Sequence, residues 1–293
     1  MKTFKFLRIL FLAIFSLSII SCTNNGEDDD LGSQSPMPDK GYKKLVQMNI
    51  KEGVDVEEKC YFNYNKDGIL TSVDIAGYYD GLFEGTEKFY LKWDKNVLYF
   101  SENGVEYEEY YKISDNKVVE GLWDTNAPKF KYDNNNRLFT DYDNNNRTVF
   151  TWEEGKLIRT NHTYVTASES YSLTRTETAE YEYSSSAQER CNGFFPNMAL
   201  HYGECYEFCA IPWMLGMEQQ NLPQKIQKES IEIYENGDYT NIAKSLRNIV
   251  FTYSYYDDGY LKTCTEIETY TQNVGTEAEY IRVIESVFEY FWE

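Results

Sequence analysis

One short pattern recurs along the chain: a strand-like run ending in an aromatic residue, a turn of Asn, Asp or Gly, and an aliphatic residue that opens the next run. It appears as Tyr61-Phe62-Asn63-Tyr64-Asn65-Lys66-Asp67-Gly68-Ile69-Leu70, and again as Phe251-Thr252-Tyr253 followed by Asp257-Asp258-Gly259-Tyr260-Leu261. Looser copies join Phe130 and Tyr132 to Leu138, Trp152 to Leu157, Trp93 to Leu98, and Tyr110 and Ile113 to Val118. Asp-Gly and Asn-rich pairs accept the positive φ that tight hairpins need, and the flanking alternation places one side-chain set on each face. The pattern therefore predicts β-hairpins in series.

Alternation elsewhere agrees. Tyr171, Leu173, Arg175, Glu177, Ala179, Tyr181 and Tyr183 share one face, with Ser, Thr and Glu on the other; runs around Ile231 and from Glu279 to Tyr290 read as further strands. Helical periodicity is weak. The rhythm breaks between residues 188 and 220, where Phe194-Phe195-Pro196 and Ala210-Ile211-Pro212-Trp213-Met214-Leu215 predict an irregular excursion with short helical turns, covering an open end or a concave face of the sheet. The expected fold class is all-β: a large curved or nearly closed antiparallel sheet built from serial hairpins.

These hairpins resemble the YD-type repeat. With the excursion, the segment Gln220-Asn221-Leu222-Pro223-Gln224-Lys225-Ile226 and the final hairpins, the chain from about residue 42 to 292 resembles a Bacteroidetes lipoprotein family of unknown function with a porin-like fold. That resemblance implies a curved antiparallel sheet, whose curvature hides edges and leaves a concavity. It implies no activity and no functional residues.

The N-terminus carries an address. Lys2, Lys5 and Arg8 precede an apolar run from Ile9 to Ile20, broken only by Ser16 and Ser18. At about 12 residues the run is shorter than the ~20 a spanning helix needs, so it reads as an export signal. Ser18-Ile19-Ile20-Ser21-Cys22 resembles the lipobox of bacterial lipoproteins, in which the cysteine is acylated and becomes the mature N-terminus. Residues 1–21 are thus the expected signal peptide and Cys22 the lipidation site. Residues 22–40, with Glu27-Asp28-Asp29-Asp30 and then Gly, Ser, Pro and Asp, read as a flexible acidic tether. The acidic cluster resembles the surface-export signal of Bacteroidetes lipoproteins, and a solvated spacer is its plainer meaning. Residues 41–293 form the expected single β domain, on an outer-membrane, lipid-anchored protein facing outward.

The formal charge of -20 becomes -23 once Lys2, Lys5 and Arg8 leave with the signal, which disfavours nucleic acid and anionic lipid as partners. Aromatics make up 17%, with 27 Tyr and 17 Phe, which suits a pleated surface and also suits stacking on sugar rings. Charged residues occur on both faces of many strands, mean hydropathy is -0.61, and the sequence closes on Phe291-Trp292-Glu293. A lipid-facing band needs an uninterrupted apolar face. The β body is therefore expected in water, with lipid at Cys22 as its membrane attachment.

Motifs for chemistry are sparse. The sequence has no phosphate-cradling Gly-Lys-Ser/Thr loop, no Gly-x-Ser-x-Gly elbow and no His-Glu-x-x-His, and its histidines are His162 and His201. No cofactor and no metal are expected. Cys60, Cys191, Cys205, Cys209 and Cys264 suit disulfides or buried thiols in an exported protein, with a mixed site at His201 and Cys205 as the sharper alternative. Asp141-Tyr142-Asp143-Asn144-Asn145 alternates oxygens like a calcium loop, but Asn146 and Trp152 stand where that loop needs Gly and Glu, and turn chemistry explains the same residues. The leading expectation is a noncatalytic binding protein for a glycan or an envelope protein, with Trp213, Phe194, Phe195 and Tyr206 as candidate contacts that otherwise pack as a core plug. A carboxylate-dependent hydrolase and an envelope scaffold are the alternatives.

Overall fold

The computed structural model describes residues 43–123, 125–168, 170–183, 212–216, 222–237 and 239–293, with the side chains of 212 and 213 left aside. Sixteen strands follow one another: β1 Leu45–Glu52, β2 Val56–Tyr64, β3 Leu70–Tyr79, β4 Leu82–Asp94, β5 Val97–Ser101, β6 Glu108–Ser114, β7 Lys117–Gly121 and β8 Lys129–Tyr132. They continue with β9 Leu138–Tyr142, β10 Asn146–Glu153, β11 Lys156–Ala167, β12 Ser172–Tyr183, β13 Pro223–Asn236, β14 Tyr239–Tyr255, β15 Leu261–Gln272 and β16 Tyr280–Trp292. Among the described residues one 3-10 turn, Pro212–Leu215, precedes β13. Every strand pairs antiparallel with its neighbours in sequence, and β1 pairs with β16, so the expected sheet closes fully into a barrel. At the seam the Lys44 N–H donates to the Glu293 carbonyl at 2.6 Å, and the Glu293 N–H returns to the Lys44 carbonyl at 2.9 Å.

The recurrent motif builds one end of this barrel. Its aliphatic members, Leu45, Leu70, Leu98, Val118, Leu138, Leu157, Leu222 and Leu261, are each at most 2% exposed and sit where the odd-numbered strands begin. Its aromatic members end the even-numbered strands and turn their polar tips back onto the same ring. Trp93, Trp152 and Trp292 each donate Nε1–H at 2.7 Å to the carbonyls of Leu70, Leu138 and Leu261. The hydroxyls of Tyr64, Tyr132, Tyr183 and Tyr253 donate to the carbonyls of Leu45, Val118, Leu157 and Pro223. Ile113 occupies the remaining place, on β6, and brings no donor. Each aromatic thus buries its body in the core and satisfies its polar tip on backbone, which is what burial of Tyr and Trp requires.

The turns at this end follow from their residues. Asp115-Asn116 and Glu154-Gly155 form two-residue hairpins with both residues at positive φ. Asp133 accepts from the backbone N–H groups of Asn135 and Arg137 and pairs with the Arg137 guanidinium. The 3-10 turn caps the same end. Met214 and Leu215 are fully buried, Tyr132 also donates to the Met214 carbonyl, and the Leu138 N–H donates to the Gly216 carbonyl at 3.2 Å. Gly216 has φ +61°, and a Cβ there would lie 2.4 Å from the Asn136 carbonyl oxygen, so glycine alone fits.

The wall is uneven. β5 through β9 have 4 to 7 residues each, whereas β11 through β16 have 12 to 17, so the strands on one side are on average more than twice as long as those on the other. The outer face carries ion pairs around its circumference: Lys51 with Glu289, Lys88 with Asp74, Lys112 and Lys129 with Glu120, Arg159 with Glu180, Lys225 with Glu182, and Lys244 with Glu229.

Candidate functional site

Register divides the inner face of the tall wall into two zones. Toward the ring end its residues are apolar: Tyr181, Ile226, Ile249, Phe251, Cys264, Phe288 and Tyr290 are all under 9% exposed and belong to one core cluster. Toward the open end the same inward positions become charged. Arg175, Glu177, Lys228, Ser230, Glu232, Ser245, Arg247, Tyr270 and Gln272 line a concavity of about 230 Å³. Strand pairing explains the convergence. Glu177 faces Ser230 and Arg175 faces Glu232 between β12 and β13, Lys228 faces Arg247 between β13 and β14, and Arg247 faces Tyr270 between β14 and β15.

Two of the cavity's cations are held by cavity carboxylates. The Arg175 guanidinium donates twice to Glu232, at 3.0 and 2.6 Å. Lys228, whose side chain is only 8% exposed, donates to Glu177 at 3.2 Å. Arg247 is held differently: its guanidinium lies 5.0 Å from the Tyr270 ring centroid, and its Nε is 3.6 Å from Glu268, beyond hydrogen-bonding distance.

Beneath this layer lies Glu266, 3% exposed, with Phe251 beside it on β14 and Ser286 on β16. Its Oε2 is buried and has no hydrogen-bond partner among the described residues. Burial, reinforced by the nearby Glu268, pushes its pKa up to about 7, against the pull of Lys228 and Arg247. Burial also pushes the neighbouring Cys264 thiol up. Above the cavity the lumen ends in an aromatic lip: Tyr171 stacks on Tyr234 at 5.9 Å, and Tyr239 meets Tyr234 edge-on at 6.5 Å. On the opposite wall, burial with Glu102 and Glu58 nearby raises the Glu87 carboxyl.

Of the residues singled out from sequence, Cys22, Phe194, Phe195 and Tyr206 lie outside the described residues, as do Cys191, His201, Cys205 and Cys209. Trp213 belongs to the 3-10 turn, but its side chain also lies outside them. Cys60 and Cys264 are wholly buried in the core. Asp143 caps its own turn, accepting from the N–H groups of Asn145 and Asn146 at 2.6 Å, while Asp141 accepts from the Thr148 N–H. The face predicted to run from Tyr171 to Tyr183 is the inner face of β12, and it supplies Arg175 and Glu177. Lys228, Arg247 and Glu266 carry no distinct signal in the sequence, because charges scattered along strands with other polar residues have the signature of a solvated face.

In overall structure the chain is similar to a porin-like protein from Bacteroides uniformis ATCC 8492, at 12% identity over 85% of this chain and 98% of that one, with a TM-score of 0.47. It is also similar to a porin-like protein from Bacteroides vulgatus ATCC 8482, at 11% identity over 86% and 99% of the two chains, with a TM-score of 0.39. In sequence, no protein family and no curated protein matches it.

Proposed function

We propose that this chain is a lipid-anchored cell-envelope protein of the porin-like lipoprotein kind, whose barrel works as a blind cup that binds a small polar ligand in the charged half of its lumen. The observation that carries this reading is the division of the inner face. A channel needs a lumen open from end to end. Here the ring of aliphatic residues, together with Met214 and Leu215, packs one end, while the other opens onto the cavity. Convergent polar groups in a concave site above an apolar floor are the usual makings of a ligand pocket. The volume, below the ~300 Å³ at which drug-sized pockets begin, suits a single sugar ring or similar metabolite.

The ion pairs that girdle the outer face support a body bathed in water, since each charge on a lipid-facing strand costs up to ~4 kcal/mol at the midplane. Attachment then falls to Cys22. A Cys22→Ser chain is expected to leave the membrane fraction, and its firm retention there would overturn the anchor. The cup is tested by thermal shift of the full chain against a panel of glycans and polar metabolites. A stabilising ligand should appear and should lose its effect in Ser245→Trp, which fills the cavity; an undiminished effect in that variant would move binding out of the lumen.

A further inference from the structure

We propose that the ligand of this cavity carries an oxyanion, most simply a carboxylate on a hydroxylated ring, and that Arg247 and Lys228 receive it. The inference rests on the lumen reading above and adds the ligand's chemistry. The chain as a whole is acidic, at -20, yet cations converge on this cavity. Arg175, Lys228 and Arg247 stand against Glu177, Glu232 and Glu268, the last 3.6 Å from the Arg247 Nε, while the ammonium of Lys244 is turned away to Glu229 at 2.8 Å. Three cations matched by three carboxylates make this concavity less acidic than the chain around it, which favours an anion here over the rest of the surface.

Hydrogen-bonding capacity points the same way. Arg175 directs its Nε–H and one Nη2–H to a single oxygen of Glu232. Arg247 makes no hydrogen bond among the described residues, although Tyr270 holds its plane in place. A guanidinium fixed on an aromatic face, with its fork of N–H groups open to a cavity, matches the paired oxygens of a carboxylate or phosphate. Lys228 is over nine-tenths buried at the base of the charged layer and has one hydrogen-bond partner among the described residues, Glu177, which leaves two ammonium protons for other acceptors. Ser230, Ser245 and Gln272 add neutral groups for hydroxyls.

Glu266 couples this site to protons. The charged and titratable groups around it are Lys228 on β13, Arg247 on β14, Cys264 and Glu268 on β15 and Glu52 on β1, with Glu177 acting on Lys228 from β12; β16 presents Ser286, and Arg282 lies farther along, near Glu52. When Glu266 is neutral, Lys228 and Arg247 are left to the ligand. When it ionises, it competes for both.

The test titrates the purified full chain at low salt with D-glucuronate, D-glucose and inorganic phosphate. Glucuronate should bind saturably and glucose at least tenfold more weakly; Arg247→Ala should weaken glucuronate at least tenfold with an unchanged melting temperature, and Arg247→Lys less so. Affinity should fall between pH 6 and pH 8, and Glu266→Gln should flatten that fall. Phosphate binding as tightly as glucuronate supports the oxyanion and assigns its source to a phosphoryl group. Glucose binding as tightly as glucuronate overturns the oxyanion while leaving the cup intact. Failure of both anions, or an Arg247→Ala variant that binds like the parent, overturns it as well.

Discussion

The indole N–H of Trp292, at the end of the last strand, donates at 2.7 Å to the carbonyl of Leu261, at the start of the strand before it. The same relationship joins Trp93 to Leu70 and Trp152 to Leu138, with tyrosine hydroxyls in the equivalent place on four more strands. Each such bond ties the end of one strand to the beginning of its neighbour, at the level where the core closes. Tyr64→Phe keeps the ring and removes the donor that the part-buried Leu45 carbonyl accepts. Urea denaturation should show a loss of about 1–3 kcal/mol, and a loss below ~0.3 kcal/mol would mean that water replaces the bond.

The aliphatic ring beneath those aromatics should be far more sensitive than the outer wall. Leu138 is fully buried between Trp152 and the 3-10 turn, so Leu138→Ala should cost about 2–5 kcal/mol through lost burial and the cavity left behind. Ile281, on the outer face and 58% exposed, should change stability by less than ~0.5 kcal/mol when replaced by Ala. Equal effects in matched melts would contradict the ring's role.

Gly216 offers a way to loosen the plug without touching the wall. Ala at this position meets the Asn136 carbonyl at 2.4 Å and needs a positive φ, so Gly216→Ala should destabilise by more than ~1 kcal/mol. Hydrogen exchange should show the loss first at Leu138, whose N–H bonds to Gly216. Uniform loss over all strands would show the plug to be integral to global unfolding.

Glu266 makes stability depend on pH in a defined sense. Its carboxyl holds its proton to about 7 in the folded chain and releases it near 4.5 in the unfolded one. Between those values the native state binds more protons, so its contribution to stability falls as pH rises and is fully lost above about 7. The difference amounts to something on the order of 3 kcal/mol. Urea midpoints at pH 5 and pH 8 should therefore differ less in Glu266→Gln than in the parent; identical slopes would remove the buried carboxyl as the cause.

What could be read from the sequence was what is local. Tyr64 and Leu70, or Trp152 and Leu157, lie within six residues and bracket a turn with an obvious chemistry, so the hairpins and their order were plain. That Trp152 reaches back to Leu138, or that Lys44 meets Glu293, depends on register summed over many strands and is invisible in any window. The cavity was half legible. The alternation from Tyr171 to Tyr183 placed Arg175 and Glu177 on the tyrosine face, which proved to be the inner one. Lys228, Arg247 and Glu266 lie on three different strands, and their meeting is set by pairing between β13, β14 and β15 rather than by any residue near them in sequence.

The mutual hydrogen bonds of Lys44 and Glu293 carry one more consequence. Where the first and last strands lie side by side, the order in which the gene spells the hairpins is only one of several equivalent starting points around a circle. A circular permutant that joins residue 293 to residue 43 by a short linker and opens the chain at Glu154-Gly155 would describe the same wall from a different beginning.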